Sequence, residues 1–385
     1  MGSTVRSGVE QALAQAATGR AWFAGVDAAH VVECIDVSRA PERLAHGGFW
    51  AVVGEFEGAV RAWRFADVRR GAPTIPDAAG RGWVGPPPNS WVSSLSRSEY
   101  CAGVVAIRDR IRDGDVYQVN LCRVLSAALT GPEGADPDAR ALARVLGAGN
   151  PAPFAGGVQV PEGSGFAAEW LVTASPELFL RIADGRIASG PIKGTAVTAS
   201  GLTAKDEAEN VMITDMVRND LQRVCRPGSV EVSALLARED HPGLAHLVST
   251  VEGELDGPVD WARILEATYP PASVSGAPKH AALGVIAELE PVSRGPYCGM
   301  VGWVDADQGR AELAVGIRTF WWTATGPRVD DGPQLHFGTG AGITWGSAAD
   351  QEWAETELKA RRLIELASTG AGQGSGFIEA GERHG

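Results

Sequence analysis

The chain carries thirty arginines but only four lysines among its 385 residues, namely Lys193, Lys205, Lys279 and Lys359. A guanidinium stays protonated in proteins, so arginine cannot stand in where an amine must act as nucleophile or base. Lys193 is set for such a role. It lies in Gly190-Pro191-Ile192-Lys193-Gly194-Thr195, straight after a predicted hairpin strand. Close packing there would desolvate the amine, one route by which lysine becomes a nucleophile. An exposed turn lysine is the plain alternative. Two acid pairs have helical spacing: Asp206 with Glu209, and Glu352 with Glu355, followed by Lys359. A spacing of three puts both carboxylates on one helix face, where they repel unless a cation sits between them. Hard oxygen ligands of this kind suit Mg²⁺, although two solvated helix faces would have the same spacing. Ahead of the last predicted helix, Gly338-Thr339-Gly340-Ala341-Gly342 could offer backbone amides to an anion. It is neither a Walker loop nor a dinucleotide fingerprint.

Charge and composition narrow the partners. The formal net charge is −13. A protein that coats nucleic acid or an anionic membrane needs a positive face, so neither partner is expected. An anionic small molecule needs only a local basic cluster. At 44% hydrophobic residues the chain can bury a large core, which excludes global disorder. No apolar run approaches the ~20 residues of a membrane span, and no secretory leader pattern is visible. The five cysteines, Cys34, Cys101, Cys122, Cys225 and Cys298, are scattered and form no CxxC pair. A disulfide framework and a thiolate zinc site are therefore not expected, and a reduced, cytoplasmic protein is.

These residues must be positioned by helices and hairpins. Phe49 to Val53 and Ala59 to Trp63 read as short strands. Gly85-Pro86-Pro87-Pro88-Asn89 reads as a rigid connector closing an N-terminal region, residues 1–90. Ser96-Arg97-Ser98-Glu99 is a capping-box pattern, and Val104, Ile107 and Ile111 form the apolar stripe of a helix that stops at Asp113-Gly114. Val116 to Leu121 reads as a strand. Ala183-Asp184-Gly185 joins two hairpin strands. Helices are predicted from Lys205 to about Val224, from Ala281 to Leu289, and from Gln351 to about Ala367. Residues 91–367 are expected to form the catalytic domain. The Gly-rich residues 368–385 are expected to be a disordered tail. Hairpins mixed with separate helices point to an α+β fold.

Several strings in order resemble one family. They are Gly114-Asp115-Val116-Tyr117-Gln118-Val119-Asn120-Leu121, Ser175-Pro176-Glu177-Leu178, the PIKGT segment around Lys193, and Ala208-Glu209-Asn210 running on to Val217-Arg218-Asn219-Asp220-Leu221. Further on come His246-Leu247-Val248-Ser249-Thr250, Ser275-Gly276-Ala277-Pro278-Lys279, Arg294-Gly295-Pro296-Tyr297-Cys298-Gly299, Ile317-Arg318-Thr319, and Glu352 to Lys359. Together they resemble the chorismate-utilising enzymes: the component I subunits of anthranilate and aminodeoxychorismate synthase, and the isochorismate and salicylate synthases. The resemblance implies an anthranilate synthase component I-like fold, with two antiparallel sheets forming a β-sandwich core flanked by helices.

It also implies roles. Glu209 and Glu355 match Mg²⁺ ligands, with Asp206 and Glu352 as acidic neighbours. Arg318, Tyr297 and Lys359 match groups that hold the substrate's enolpyruvyl carboxylate, assisted by the Gly340, Ala341 and Gly342 backbone. His246 and Thr250 match residues of the ring pocket, with His246 counted among the catalytic residues. Thr195, Ser275 and Gly276 fall within matching substrate-binding segments. Glu177 matches the general acid that protonates the departing 4-hydroxyl. Water-adding members place a lysine base where Gln118 stands; anthranilate synthases usually carry alanine within the segment matching PIKGT, and Lys193 at that place resembles the aminodeoxychorismate synthases. The implied activity is amination of chorismate with ammonia from a separate glutamine amidotransferase subunit. Its product is 4-amino-4-deoxychorismate, the precursor of 4-aminobenzoate and folate. Anthranilate or 2-amino-2-deoxyisochorismate synthesis, and an inert chorismate-binding subunit, remain alternatives. The departures are Tyr269-Pro270-Pro271-Ala272-Ser273, where the family is richer in glycine, and Thr344-Trp345-Gly346-Ser347, where it is acidic.

Overall fold

The computed structural model describes residues 19–72, 82–196, 204–241, 244–325 and 332–369. The expected tail, apart from Ser368 and Thr369, lies outside them, as do the side chains of Thr195, Lys205 and His246. The strands are β1 (Arg20–Phe23), β2 (Gly25–Asp36), β3 (Phe49–Gly54), β4 (Val60–Ala72), β5 (Val92–Ser93), β6 (Gln118–Ala128), β7 (Phe154–Val160), β8 (Glu169–Ser175) and β9 (Leu178–Ala183). They continue with β10 (Arg186–Gly190), β11 (Ile192–Ala196), β12 (Glu231–His241), β13 (Leu244–Glu254), β14 (Gly276–Ala277), β15 (Met300–Asp305), β16 (Arg310–Val315), β17 (Thr319–Thr323) and β18 (Gln334–Ile343). The α-helices are α1 (Arg97–Asp113), α2 (Ala139–Gly149), α3 (Ala204–Gln222), α4 (Trp261–Thr268), α5 (Lys279–Leu289) and α6 (Ala349–Ala367).

Local chemistry explains several boundaries. The Ser96 hydroxyl caps α1 by accepting from the Glu99 amide, while the Glu99 carboxylate accepts from the Ser96 amide, completing the capping box. Gly114 closes the helix in the left-handed conformation at φ 88°. Tyr100, Val104 and Ile107 bury its inner stripe completely. Asp184 and Gly185 both have positive φ, 51° and 73°, as a tight two-residue hairpin between β9 and β10 requires.

All strand pairings are antiparallel, and they form one continuous ladder rather than two unconnected sheets. Its order is β5-β6-β18-β17-β8-β7-β1-β2-β4-β3-β15-β16-β9-β10-β13, with β14 also on β6 and both β11 and β12 on β13. The strands β1 to β4 stand in the middle of this ladder, between β7 and β15. β3 is buried on both faces along its whole length. The first part of the chain therefore shares a core with the rest, and the Gly85–Pro88 connector runs over the same body. Helix α3 lies on β11, β12 and β13, where the Asn210 side-chain amide donates to the Leu247 carbonyl at 3.0 Å. Helix α6 lies on β18, with the Thr339 hydroxyl donating to the Thr356 carbonyl at 2.9 Å.

The glycine-rich stretch 338–342 is a strand, not a loop. β18 pairs with β6 from Gln334 to Ile343, but with β17 only as far as Phe337. Past Phe337 one edge of β18 has no strand beside it among the described residues, so alternate backbone groups there face away from β6. Glycine is a poor strand former, and tertiary crowding explains its presence. A Cβ on Gly338 would lie 2.0 Å from the Tyr297 ring, and one on Gly340 would lie 2.5 Å from Cys122 Sγ.

Candidate active site

Glu177 sits in the turn between β8 and β9. Its backbone is pinned by the Val315 amide, which donates to its carbonyl at 3.0 Å, and by its own amide, which donates to Ser175 Oγ at 3.2 Å. The side chain is buried, at 3% exposure. Burial pushes its carboxyl up to about 7, against the opposing pull of a Ser273 hydrogen bond, the Lys193 charge, the Ile192 amide and the Lys359 charge. A carboxyl poised there is about half protonated at neutral pH and can deliver a proton.

Lys193, half-buried on β11, comes from the far end of the ladder to meet β6 and β18. A Cβ placed on Gly342 would lie 2.4 Å from Gln118 Nε2, 3.1 Å from Asn120 Oδ1 and 3.5 Å from Lys193 Nζ. Three polar side chains thus surround the point that Gly342 leaves open. Gln118 is 1% exposed, and neither its amide nitrogen nor its amide oxygen has a hydrogen-bond partner among the described residues. Buried polar atoms are nearly always paired, so this amide is set to be completed by a bound molecule. Sequence reading missed Asn120 as a site residue. Its signal was present, because residues two apart on a strand share a face with each other. Ser273 was missed as well. It lies in the Pro-rich segment noted only for its departure from the family pattern.

Along the open edge of β18, Lys359 Nζ donates to the Gly340 carbonyl at 3.1 Å and pairs with Glu355 at 2.6 Å. Tyr297 packs its ring against Gly338, and burial raises its hydroxyl well above the usual tyrosine range. Arg318 precedes β17 with a positive φ of 52°. Burial lowers its pKa, and no acidic neighbour among the described residues opposes that shift. A half-buried guanidinium of this kind is suited to receive a carboxylate.

The remaining predicted residues are spread more widely. Ser275 is fully buried, and its hydroxyl donates to the Pro271 carbonyl at 3.1 Å, so its polar group is engaged within the protein. Gly276 has φ 153°, and a Cβ there would lie 2.3 Å from the Gln118 carbonyl, so it lets β14 close onto β6. Thr250 is half-buried on β13, opposite Ala234. His246 lies on the same strand and its backbone pairs with Thr195 on β11; their side chains fall outside the described residues.

Asp206 and Glu209 lie on α3, and Glu352 and Glu355 on α6; Glu352 is 3% exposed. Among the described residues no three metal-ligating side chains gather at one place. Mg²⁺ asks for less, typically one or two carboxylates with water and an anionic substrate group completing its shell. Carboxylates supplied by two helices meet that requirement in their donor chemistry.

Residues 83–365 match the family model described as chorismate binding enzyme. The chain belongs to the chorismate-binding enzyme family. Aminodeoxychorismate synthase component 1 of Salmonella typhimurium is 34% identical over 288 residues, which cover 72% of this chain and 59% of that protein. Anthranilate synthase component 1 of Saccharolobus solfataricus is 34% identical over 282 residues, 70% of this chain and 62% of that protein. The chain therefore spans about three-fifths of the length of these relatives. Anthranilate synthase component I of Streptococcus pneumoniae shares the fold, with a TM-score of 0.71 at 22% identity over 89% of this chain and 92% of that one. No helix among the described residues is long and apolar enough to cross a membrane.

Proposed function

We propose that this protein is the chorismate-aminating subunit of an aminodeoxychorismate synthase, acting in the cytoplasm. The observation that carries the proposal is the grouping of Lys193 Nζ, Gln118 and Asn120 around Gly342, with Glu177 held near neutrality in its pKa and under the influence of the Lys193 charge. In this reading Lys193 reacts through its deprotonated form, whose nitrogen attacks ring carbon 2 while Glu177 protonates the 4-hydroxyl, which leaves as water. Ammonia then bonds to carbon 4 with its lone pair, the ring double bonds shift back, and the bond between lysine and carbon 2 breaks with the electron pair leaving on the lysine nitrogen. The product is 4-amino-4-deoxychorismate. Gln118 supports the assignment because an amide side chain cannot take a proton from water, which disfavours isochorismate and salicylate synthesis.

Chorismate is a dianion, and its two carboxylates need separate positive partners. Arg318, Lys359 and Tyr297, with Gly340, Ala341 and Gly342 along the open edge of β18, would receive one. Bound Mg²⁺ would neutralise the other, held by Glu209 and Glu355, with Asp206 and Glu352 beside them. His246, Thr250 and Thr195 would line the ring pocket. Ammonia would come from a separate glutamine amidotransferase subunit. Anthranilate synthesis is the second reading, favoured by equal 34% identity to relatives of both names. Incubation with chorismate, Mg²⁺ and ammonium distinguishes them by mass and chromatography. The expected product is 4-amino-4-deoxychorismate, and anthranilate formed without an added lyase overturns the proposal.

A further inference from the structure

We propose that Asp220 returns to Glu177 the proton that Glu177 gives away, through one water held between them. This inference rests on the general-acid reading of Glu177. At 3% exposure, Glu177 has little direct contact with bulk solvent from which to regain its proton after each turnover. Glu177 also lines a cavity of about 20 Å³ whose wall includes Ser189, Ser273, Thr268 and Asp220. That is room for a single water, and although most of the wall is apolar, it includes two carboxylic side chains and three hydroxyl side chains able to hold that water. Asp220 connects this cavity with the outside. Its Oδ2 accepts from Lys279 Nζ at 2.8 Å, and the same ammonium donates to the Thr268 carbonyl at 3.2 Å. The side chains of Asp220 and Lys279 are 14% and 21% exposed, so the pair touches solvent at the end where Glu177 does not.

The transfer balances. Glu177 loses its proton to the oxygen leaving carbon 4. The cavity water donates a proton to the Glu177 carboxylate and takes one through Asp220, whose carboxylate passes on a proton given up by the Lys279 ammonium, and Lys279 regains its proton from solvent. The proton lost by the incoming ammonia supplies the net requirement. Asp220 thus acts on the reaction through Glu177, as a positioning residue with a relay function.

The experiment compares single-turnover with steady-state rates for Asp220→Asn, using chorismate, Mg²⁺ and ammonium in H₂O and D₂O. The expected result is a first turnover close to wild type, a steady-state rate lower by on the order of tenfold, and a larger solvent isotope effect in the steady state. Asp220→Glu should restore part of the rate. Ala272→Val, which narrows the same cavity while keeping both carboxyls, should reproduce the split between the two regimes. Equal losses in both regimes, or none in either, would overturn the relay. Glu177→Gln separates the two readings. If it keeps a full first turnover, the general-acid reading fails; if it abolishes turnover while Asp220→Asn and Ala272→Val are neutral, only the relay fails.

Discussion

Glu177→Gln should slow amination by on the order of 10²–10⁴-fold and remove a pH dependence that the unaltered protein carries. The size of that dependence follows from burial. The carboxyl rises from an ordinary 4.5 to about 7. With a pKa of about 7, roughly half of the molecules hold the proton at pH 7 and roughly a tenth at pH 8. The rate should therefore fall about tenfold per pH unit on the alkaline side. Stability moves in the same direction. The folded state binds this proton more tightly than the unfolded state, so the contribution is complete below pH 4.5 and is lost as pH rises through about 7. A shift of this size corresponds to about 3 kcal/mol. The assay is kcat/KM against pH for both proteins with ammonium held saturating as free ammonia, together with melting temperatures at matched pH. A wild-type profile that stays flat from pH 7 to 9, or a glutamine variant with the same alkaline limb, would refute the assignment of the proton to Glu177.

Three further outcomes are expected. Lys193→Ala should lose amination at carbon 4 while still binding chorismate, read by product mass and ligand titration; an unchanged rate would remove the amine from the mechanism. Gly342→Ala and Gly338→Ala should behave differently, because the first new methyl meets the movable end of Gln118 at 2.4 Å and the second meets the Tyr297 ring at 2.0 Å. Gly342→Ala should raise KM with little change in melting temperature, whereas Gly338→Ala should cost about 1–3 kcal/mol of stability, measured by denaturant unfolding. Glu355→Gln should raise the Mg²⁺ concentration needed for half-maximal rate, and an unaltered metal titration would exclude it as a ligand.

Local rules made much of this protein readable from its sequence. Ser96 with Glu99 and Gly114 bound α1 because capping is satisfied within a few residues. Asp184-Gly185 marks its hairpin because few other residues adopt positive φ without strain. Lys193 and Glu177 stood out by residue type and by their surrounding strings. Other features depended on neighbours remote in the chain. Glycine propensity argues against a strand at 338–342. Tyr297, Cys122 and Gln118, none of them near it in sequence, exclude a Cβ and make it a strand. The continuous ladder brings β11 from one end against β6 and β18 from the other, and the Lys193 amine reaches Gln118 and Asn120 only through that closure. The acidity of Glu177 likewise belongs to the folded chain. A carboxyl's pKa rises when water is taken from around it, and the Ser273 hydroxyl and part of the walls that exclude water come from segments remote in sequence, around Val217, Thr268 and Val315. Which groups could do chemistry is written in the residue types; where they meet and how strongly they hold a proton is decided by packing.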